Sequence, residues 1–257
     1  MKKKLTMSFL LLVSSLSCPS TGSDAVVSGE IREFPAGSFS SVEAHSDNGR
    51  TEFIGDSGPI ARVSWSKRTS DVRCNVGATV EGGVLKLVNK KLGGGTGCTV
   101  DWEVRIPHSV PVSLKLGVSE TKLSDLTGEV SLDVGVGKLV SDAPLSKLTV
   151  KAGQLDGSVS DLAGDSTFDL GSGRLNMAWR AIPPFLRTMS FDFGNGSAVV
   201  TVPDGSTVNL DGLDKTPGGF FGFGGFTKLS EVPSSDAPNF RIIGGGGSGS
   251  IEVKKTI

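Results

Sequence analysis

The sequence predicts an all-β protein, built as a single-stranded β-helix (β-solenoid) with about 18 residues per coil in its central part, because a fixed period of this length is typical of stacked repeats. The first observation is a series of glycines 18 positions apart, with 23 positions before the last one: Gly117, Gly135, Gly153, Gly171 and Gly194. The second is the alternating, strand-like segment that precedes each glycine.

The apolar positions of the period define the predicted core. Residues three and one before each glycine are apolar, and residues five before it mostly are. Because side chains alternate between the two faces of a strand, these positions form one inward face. Residues four and six after the glycine form a weaker inward pair. Residues nine after it predict a third side of each coil: Leu126, Pro144 and Leu162.

The third observation is that charge alternates in sign from coil to coil at outward positions. Strands in a sheet lie about 4.8 Å apart, and opposite charges across a strand pair stabilise it by roughly 0.2–1 kcal/mol. We therefore interpret these columns as setting the register of stacked coils, with a carboxylate-lined binding face as the alternative. The columns are Lys115, Asp133, Lys151 and Asp169; Glu120, Lys138, Asp156 and Arg174; and Glu129, Lys147 and Asp165.

The amino-terminal segment predicts export. Residues 1–17 combine three lysines with a short apolar run, as a secretory signal does, and residues 18–30 have the composition of a tether. The segment Ser15–Cys18 resembles a relaxed bacterial lipobox, which predicts a lipid on Cys18 and membrane attachment. The alternative is ordinary cleavage nearby, for example after Ala25.

The three cysteines are consistent with this prediction. Cys74 and Cys98 lie in one exported region and are expected to form a disulfide, which leaves Cys18 for the lipid. The alternative is two buried free thiols. Removal of residues 1–17 deletes three lysines and leaves 23 basic and 27 acidic residues, a net charge of −4, with no basic run that would indicate nucleic-acid binding.

Residues 31–257 are expected to form one solenoid domain. Residues 31–111 predict irregular amino-terminal coils, including a hairpin at Gly82-Gly83 and a clear alternating strand from Val100 to Ile106. Residues 112–200 carry the regular 18-residue coils. Residues 201–257 predict carboxy-terminal coils in which the pattern slips by one residue. The apolar pair lies four and two residues before Gly212 and Gly244, and not three and one residues before them as in the regular coils. A long loop is expected at 215–237.

The residues that could carry chemistry are few. The two histidines, His45 and His108, are isolated, and no Cys/His cluster has metal-ligand spacing, so we predict no metal, no cofactor and no catalytic residues. Gly93–Gly97 lacks the ending of a phosphate-binding loop and predicts a flexible turn. The tryptophans are expected to pack in the core or at coil ends, with sugar stacking as the alternative: Trp65, Trp102 and Trp179.

One segment stands out as a possible interaction loop. Four phenylalanines lie in a glycine-rich stretch: Phe220, Phe221, Phe223 and Phe226. Such a loop either packs over an open end of the solenoid or forms an exposed apolar patch that binds a partner. Capping is the interpretation favoured, because a solenoid must cover its ends.

The assembled motifs resemble the bacterial putative-adhesin family, of unknown function, and are similar to auto-transporter adhesin head domains. The resemblance rests on Phe39-x-x-Val42-x-Ala44, Gly83-Val-Leu-Lys-Leu87, Val104-Arg-Ile106-Pro107, the coils from Leu116-Gly117 to Leu170-Gly171, and Gly247-Ser-Gly-Ser-Ile251-Glu-Val253. It implies a right-handed β-solenoid on an exported protein, and it brings no catalytic residues.

The function expected is that of a non-enzymatic, exported envelope or surface protein, an adhesin-like module that binds an envelope protein or glycan. One alternative is a β-helix carbohydrate-active enzyme, which would need outward carboxylates in a groove. By columns, Asp192 is the acid without a basic neighbour, because it follows Asp169. Another alternative is a structural envelope scaffold that polymerises end to end.

Replacing all four phenylalanines of the loop with serine separates its two interpretations. If the loop caps the solenoid, the variant loses several kcal/mol of unfolding free energy, at roughly 1.5–3 kcal/mol per buried Phe. We expect this result in thermal or denaturant melts. Unchanged melting together with lost self-association or partner binding would instead make the loop an adhesive patch.

Overall fold

The computed structural model describes residues 28–68, 74–91, 98–211, 226–230 and 232–256. In these ranges the chain is all-β, as predicted, with one short 3-10 helix at Ala36–Ser38. The described strands are β1 (Ser28–Pro35), β2 (Ser41–Asp56), β3 (Ile60–Lys67), β4 (Cys74–Glu81), β5 (Val84–Lys91), β6 (Val100–Pro107), β7 (Val112–Ser124), β8 (Glu129–Ser141), β9 (Lys147–Ser160), β10 (Asp165–Ala178), β11 (Arg187–Val202), β12 (Val208–Asp211), β13 (Phe226–Ser230) and β14 (Phe240–Lys255).

The strands form one long mixed sheet whose centre is a parallel stack. Strands β2, β7, β8, β9, β10, β11 and β14 are neighbours in that order. From β7 to β10 each residue pairs with the one 18 positions later, so that Val112, Val130, Leu148 and Ser166 form one column. From β10 to β11 the offset is 23, as in the pairing of Ser166 with Met189. The predicted register is therefore confirmed.

Each of these strands turns at its glycine, and the glycines stack on one another. A Cβ atom placed on Gly153 would lie 2.6 Å from the carbonyl oxygen of Gly135, and one on Gly171 would lie 2.6 Å from that of Gly153. Gly135 and Gly194 have the same kind of neighbour, at 2.8 and 2.6 Å. We call this column the corner glycines. Their backbones approach more closely than any side chain allows.

The predicted inward positions are buried on both sides of the corner. Leu114, Leu132, Val150 and Phe168 are at most 1% exposed before the corner, and the positions after it, such as Leu139, are equally buried. The connections between strands also contribute side chains to the core. There Leu126, Ala143, Leu145 and Leu162 are buried. The prediction for Pro144 is wrong, because Pro144 is exposed while the residues on either side of it point inward.

The charge columns stand in the expected register. Lys115 pairs with Asp133, Asp133 with Lys151, and Lys151 with Asp169, while Asp169 pairs with the like-charged Asp192. Close ion pairs form at the edge next to β2. Arg50 Nη2 lies 3.0 Å from Glu120 Oε2, and Lys122 Nζ lies 2.7 Å from Glu52 Oε1. We expect the exposed columns to act mainly on register, since exposed pairs stabilise only weakly.

At the amino-terminal end the stack divides into two smaller wings. Strand β5 pairs with the first half of β2, and β6 pairs with the second half. β4 joins β5 through the predicted Gly82-Gly83 hairpin, in which both glycines have positive φ. β3 and β1 extend the other wing as antiparallel strands. Because β1 begins at Ser28, the last part of the segment expected to be a tether belongs to the sheet.

The predicted disulfide joins these two wings. Cys74, at the start of β4, is bonded to Cys98, two residues before β6, with their Cα atoms 5.5 Å apart. Both residues are buried, at 7% and 1% exposure. The interpretation of two free thiols is therefore wrong.

The prediction for the carboxy-terminal coils is wrong in one respect. Strand β14 lies next to β11 without any slip, and Gly247, not Gly244, continues the corner glycines by packing against the carbonyl of Gly194. Gly244 and Gly246 instead pair with Phe191 and Phe193. The two large rings are buried there, and glycine in the next strand leaves room for them.

The expected loop over 215–237 is also partly wrong. Within it, Phe226–Ser230 forms β13, which pairs with the second half of β14, while β12 pairs with the first half. Residues 233–235 then cover the outer edge of β12, where Val208 N donates to the Pro233 carbonyl. The carboxy-terminal end is thus covered by half-strands, as the amino-terminal end is.

Reversing the charge of Lys151 tests the register. Lys151→Glu joins Asp133 to Asp169 and Asp192 in a run of four like charges in one column, and we expect a loss on the order of 1 kcal/mol of unfolding free energy in low-salt denaturant melts. Asp192→Lys, in the same column, is the matched control. It removes the repulsion with Asp169 and should leave stability unchanged or slightly raised. Equal melting of Lys151→Glu and the parent at low salt would contradict the register.

Removing the disulfide tests the coupling of the two wings. Replacing Cys74 and Cys98 with alanine should lower the unfolding free energy by about 3 kcal/mol, the chain-entropy estimate for a loop of this length. Thiol labelling of the unfolded, unreduced mature protein should modify neither cysteine. Labelling of both would refute the pair.

Candidate functional site

The sequence-predicted site residues fall into two groups. Cys74 and Cys98 form the structural disulfide described above. Cys18, Phe220, Phe221 and Phe223 lie outside the described residues, as does the Gly93–Gly97 turn. Phe226 is the first residue of β13 at the carboxy-terminal end of the sheet. Of the four phenylalanines, the structure therefore places only Phe226.

The outward face before the corner carries a column of hydroxyl groups that sequence reasoning missed. Ser113, Ser131, Thr149, Thr167 and Ser190 are successive partners across β7 to β11. We call this the hydroxyl column. It lies between two charge columns, and its amino-terminal half borders a shallow groove of about 350 Å³. In the sequence, a hydroxyl residue stands four positions before each glycine of the series. Comparing the outward polar residues from coil to coil would have revealed this column.

The outward face after the corner changes character along the stack. Its amino-terminal part is charged, with Arg50, Glu52, Glu120 and Lys122 in or next to ion pairs. Toward the carboxy-terminal end, neutral polar side chains dominate at outward positions of the paired strands: Ser158, Ser172, Asn176, Asn195, Ser197, Ser248 and Ser250. Two exposed valines, Val118 and Val136, stand directly after the corner.

A groove of about 690 Å³ lies over the wing formed by β1, β3 and β6 and is lined by four carboxylates. Glu52 and Glu103 pair directly across β2 and β6, which is the closest approach to a catalytic carboxylate pair. Each acid has a basic partner: Arg32 for Glu30, Lys122 for Glu52, Arg68 for Asp101 and Arg105 for Glu103. The hydrogen bond from Lys122 to Glu52, and the charge of Glu52, raise the pKa of Lys122. This groove therefore holds neutralised ion pairs.

The tryptophans pack in the core, as predicted. Trp65 and Trp102 form a tilted pair with ring centroids 5.3 Å apart, and Trp179 contacts Phe240 edge to face at 5.4 Å. All three are at most 7% exposed. Of the histidines, His108 Nδ1 contacts the carbonyl of Asp125, and His45 is an exposed member of a charge column.

The longer interval between Gly171 and Gly194 corresponds to an extended connection, which we call the excursion. The spacing in the sequence shows that residues are inserted there but does not predict their conformation. Residues 179–186 connect β10 to β11 without a helix, although the sequence there has a weak helical period. Three apolar side chains of this excursion are exposed: Ile182, Phe185 and Leu186. A groove of about 340 Å³ separates the excursion from the preceding connection, residues 161–163.

Within the described ranges, no three His, Cys, Asp or Glu side chains are grouped as metal ligands would be. The part of the chain that the structure covers also contains no helix long and apolar enough to cross a membrane.

Comparisons with known proteins give structural neighbours only. No family model and no curated protein matches the chain. A putative cell adhesion protein from Clostridium sporogenes is 12% identical, with 89% of this chain and 99% of that chain covered and a TM-score of 0.41. A putative adhesin from Bacteroides fragilis is 15% identical, with coverage of 88% and 97% and a TM-score of 0.44. A putative lipid binding protein from Parabacteroides distasonis is 13% identical, with coverage of 88% and 97% and a TM-score of 0.38.

Proposed function

We propose that this protein is a non-enzymatic, exported interaction module of the cell envelope, adhesin-like, whose outward face before the corner glycines binds an envelope protein or glycan. The observation that carries the proposal is the hydroxyl column, which continues across five neighbouring strands in fixed register. Stacked strands of this kind present an extended, rigid surface suited to binding a long partner. Closely spaced hydroxyl groups both donate and accept hydrogen bonds, as the hydroxyl and amide groups of glycans and peptides require.

The architecture proposed is a right-handed β-solenoid. Each connection from one parallel strand to the next contributes a buried side chain to the core, as the third side of a coil would. Parallel strands joined by a crossover in one sheet are right-handed in about 98% of cases. Both arguments agree with the fold that the family resemblance implies.

The location proposed is the cell envelope, with residues 1–17 as a cleaved signal and a lipid on Cys18. Strand β1 begins the sheet at Ser28, in the amino-terminal wing. The segment 19–27 would span at most about 32 Å, at up to 3.6 Å per residue. A lipid on Cys18 would thus hold the amino-terminal wing near the membrane and leave the carboxy-terminal end of the stack distal.

The two alternatives have weaker support. A glycosidase needs one carboxyl group that stays protonated beside one that is ionised. Glu52 and Glu103 are the best-placed pair, and each is held by a cation, at 2.7 Å and 3.0 Å, so neither is a free carboxyl group. A scaffold that grows end to end needs open strand edges at both ends, whereas residues 233–235 cover β12 and the antiparallel strands β1, β3 and β4 extend the amino-terminal end.

Mass spectrometry of the mature protein tests the proposed lipid attachment and signal cleavage. The expected amino-terminal residue is Cys18 carrying a diacylglyceryl group, and alkaline hydrolysis should remove its ester-linked acyl chains. An unmodified chain that begins at Val26, after cleavage at Ala25, would contradict lipidation and leave export intact.

Binding of the mature protein to arrayed envelope glycans and to solubilised envelope proteins tests the function. A triple variant, Ser131→Lys, Thr149→Lys and Thr167→Lys, should lose at least tenfold in affinity, because three long cations cover the hydroxyl column. The matched control places lysine at Ser158, Asn176 and Ser197 on the other outward face and should bind like the parent. No binding by the parent, or cleavage of a bound glycan, would contradict the proposal.

A further inference from the structure

The excursion between β10 and β11 combines exposed apolar side chains with a groove. Phe185 is 72% exposed, Leu186 48% and Ile182 42%, although all three are apolar. The groove beside them is walled mainly by apolar residues: Leu162, Ala163, Ile182, Pro183 and Pro184. Consecutive exposed apolar side chains beside a groove are typical of an interaction site.

Residues that line this groove also carry buried polar atoms without partners. Trp179 Nε1, Asp161 Oδ1 and Arg187 Nε make no hydrogen bond, and they are three of the seven such side-chain atoms found within the described residues. Trp179 is 4% exposed, so its indole N–H is removed from water. The other carboxylate oxygen of Asp161 is engaged by Arg180 at 2.9 Å. Buried polar groups normally have partners, so each of these atoms needs a partner that the described residues do not supply.

We propose that this groove binds a peptide segment that carries an apolar side chain, an assignment that rests on the proposed function as an interaction module. A peptide backbone supplies both complements: its carbonyl accepts from Trp179 Nε1–H or Arg187 Nε–H, and its N–H donates to Asp161 Oδ1. Its apolar side chain rests on the walls and on Phe185. The three polar atoms are buried beneath the groove lining, so the bound segment must displace part of that lining to reach them.

Other ligand classes match the groove less well. An acyl chain would fill the apolar walls and leave all three polar atoms unpaired. A sugar would need an aromatic face for stacking, and the Trp179 ring is already packed against Phe240. Its hydroxyl groups would also lie against the apolar walls, which is unfavourable.

The indole N–H signal of Trp179 provides a direct test. The mature protein has three tryptophans, and the Trp179→Phe variant assigns the relevant cross-peak in a nitrogen–proton NMR spectrum. Titration with N-acetyl-phenylalanine amide should move this cross-peak saturably at millimolar concentrations. The signals of Trp65 and Trp102, which lie in the amino-terminal wing, should not move.

A matched pair of variants tests the apolar wall. Ile182→Ser should weaken binding of the amide about fivefold or more, since it removes apolar contact area. Ile60→Ser replaces a similarly exposed isoleucine at the opposite end of the sheet and should have no effect. Equal loss in both variants would contradict the assignment.

Four results would overturn the proposal. They are no shift of the Trp179 signal up to tens of millimolar amide, an equal shift with hexanoate, a shift with methyl glucoside in place of the amide, and a shift with protein concentration alone, which would indicate a second copy. A failed titration in a protein that still binds envelope components through the hydroxyl column removes only this site. Lost envelope binding with an intact titration removes the proposed function and keeps the groove.

Discussion

The structure depends on the contact between successive corner glycines. In β8 to β11 and in β14, the glycine lies against the carbonyl oxygen of the glycine in the neighbouring strand, at distances that leave no room for a Cβ atom. This contact fixes the register, because a shift by one residue would place a side chain in the corner and turn every inward side chain outward. The buried columns and the charge columns follow from that register.

Fixed register also explains what the outward faces can do. The hydroxyl column and the alternating charges exist as columns only because equivalent residues of successive strands stand side by side. Neither column can be recognised within a single stretch of the sequence, because its members lie in separate coils. A rigid, regular face of this kind suits recognition of an extended partner, whereas the groove at the excursion suits a short segment. The two sites differ in chemistry because the excursion interrupts the regular spacing.

Much of the fold could be predicted from the sequence because the corner glycines are a local and repeated signal. The register, the inward faces and the Gly82-Gly83 hairpin all follow from it or from turn chemistry. The position of β14 could not be predicted in this way, because Gly244 and Gly246 look like breaks in an apolar pattern. They are the partners of Phe191 and Phe193, and their small size matches the two rings of the neighbouring strand. The matching of side-chain volumes between β11 and β14, which are distant in sequence, cannot be recognised from the pattern of either strand alone.

The candidate sites were harder to predict for the same reason. The lengthened interval before Gly194 shows that residues are inserted, but the groove also needs Asp161 and Leu162 from the preceding connection. Unpaired atoms such as Trp179 Nε1 result from three-dimensional packing alone. The phenylalanine-rich loop was conspicuous in composition, and the structure describes only its flanking strands, which lie at the covered carboxy-terminal end.

Comparing two glycine-to-alanine substitutions by equilibrium unfolding tests this dependence most directly. Gly153→Ala places a methyl group 2.6 Å from a backbone carbonyl oxygen, whereas Gly245→Ala meets no atom within 4 Å. The account predicts a loss on the order of 1–3 kcal/mol for Gly153→Ala, and an unchanged or slightly raised stability for Gly245→Ala, since alanine restricts the unfolded chain. Equal unfolding free energies for the two variants would contradict the central role of the corner glycines.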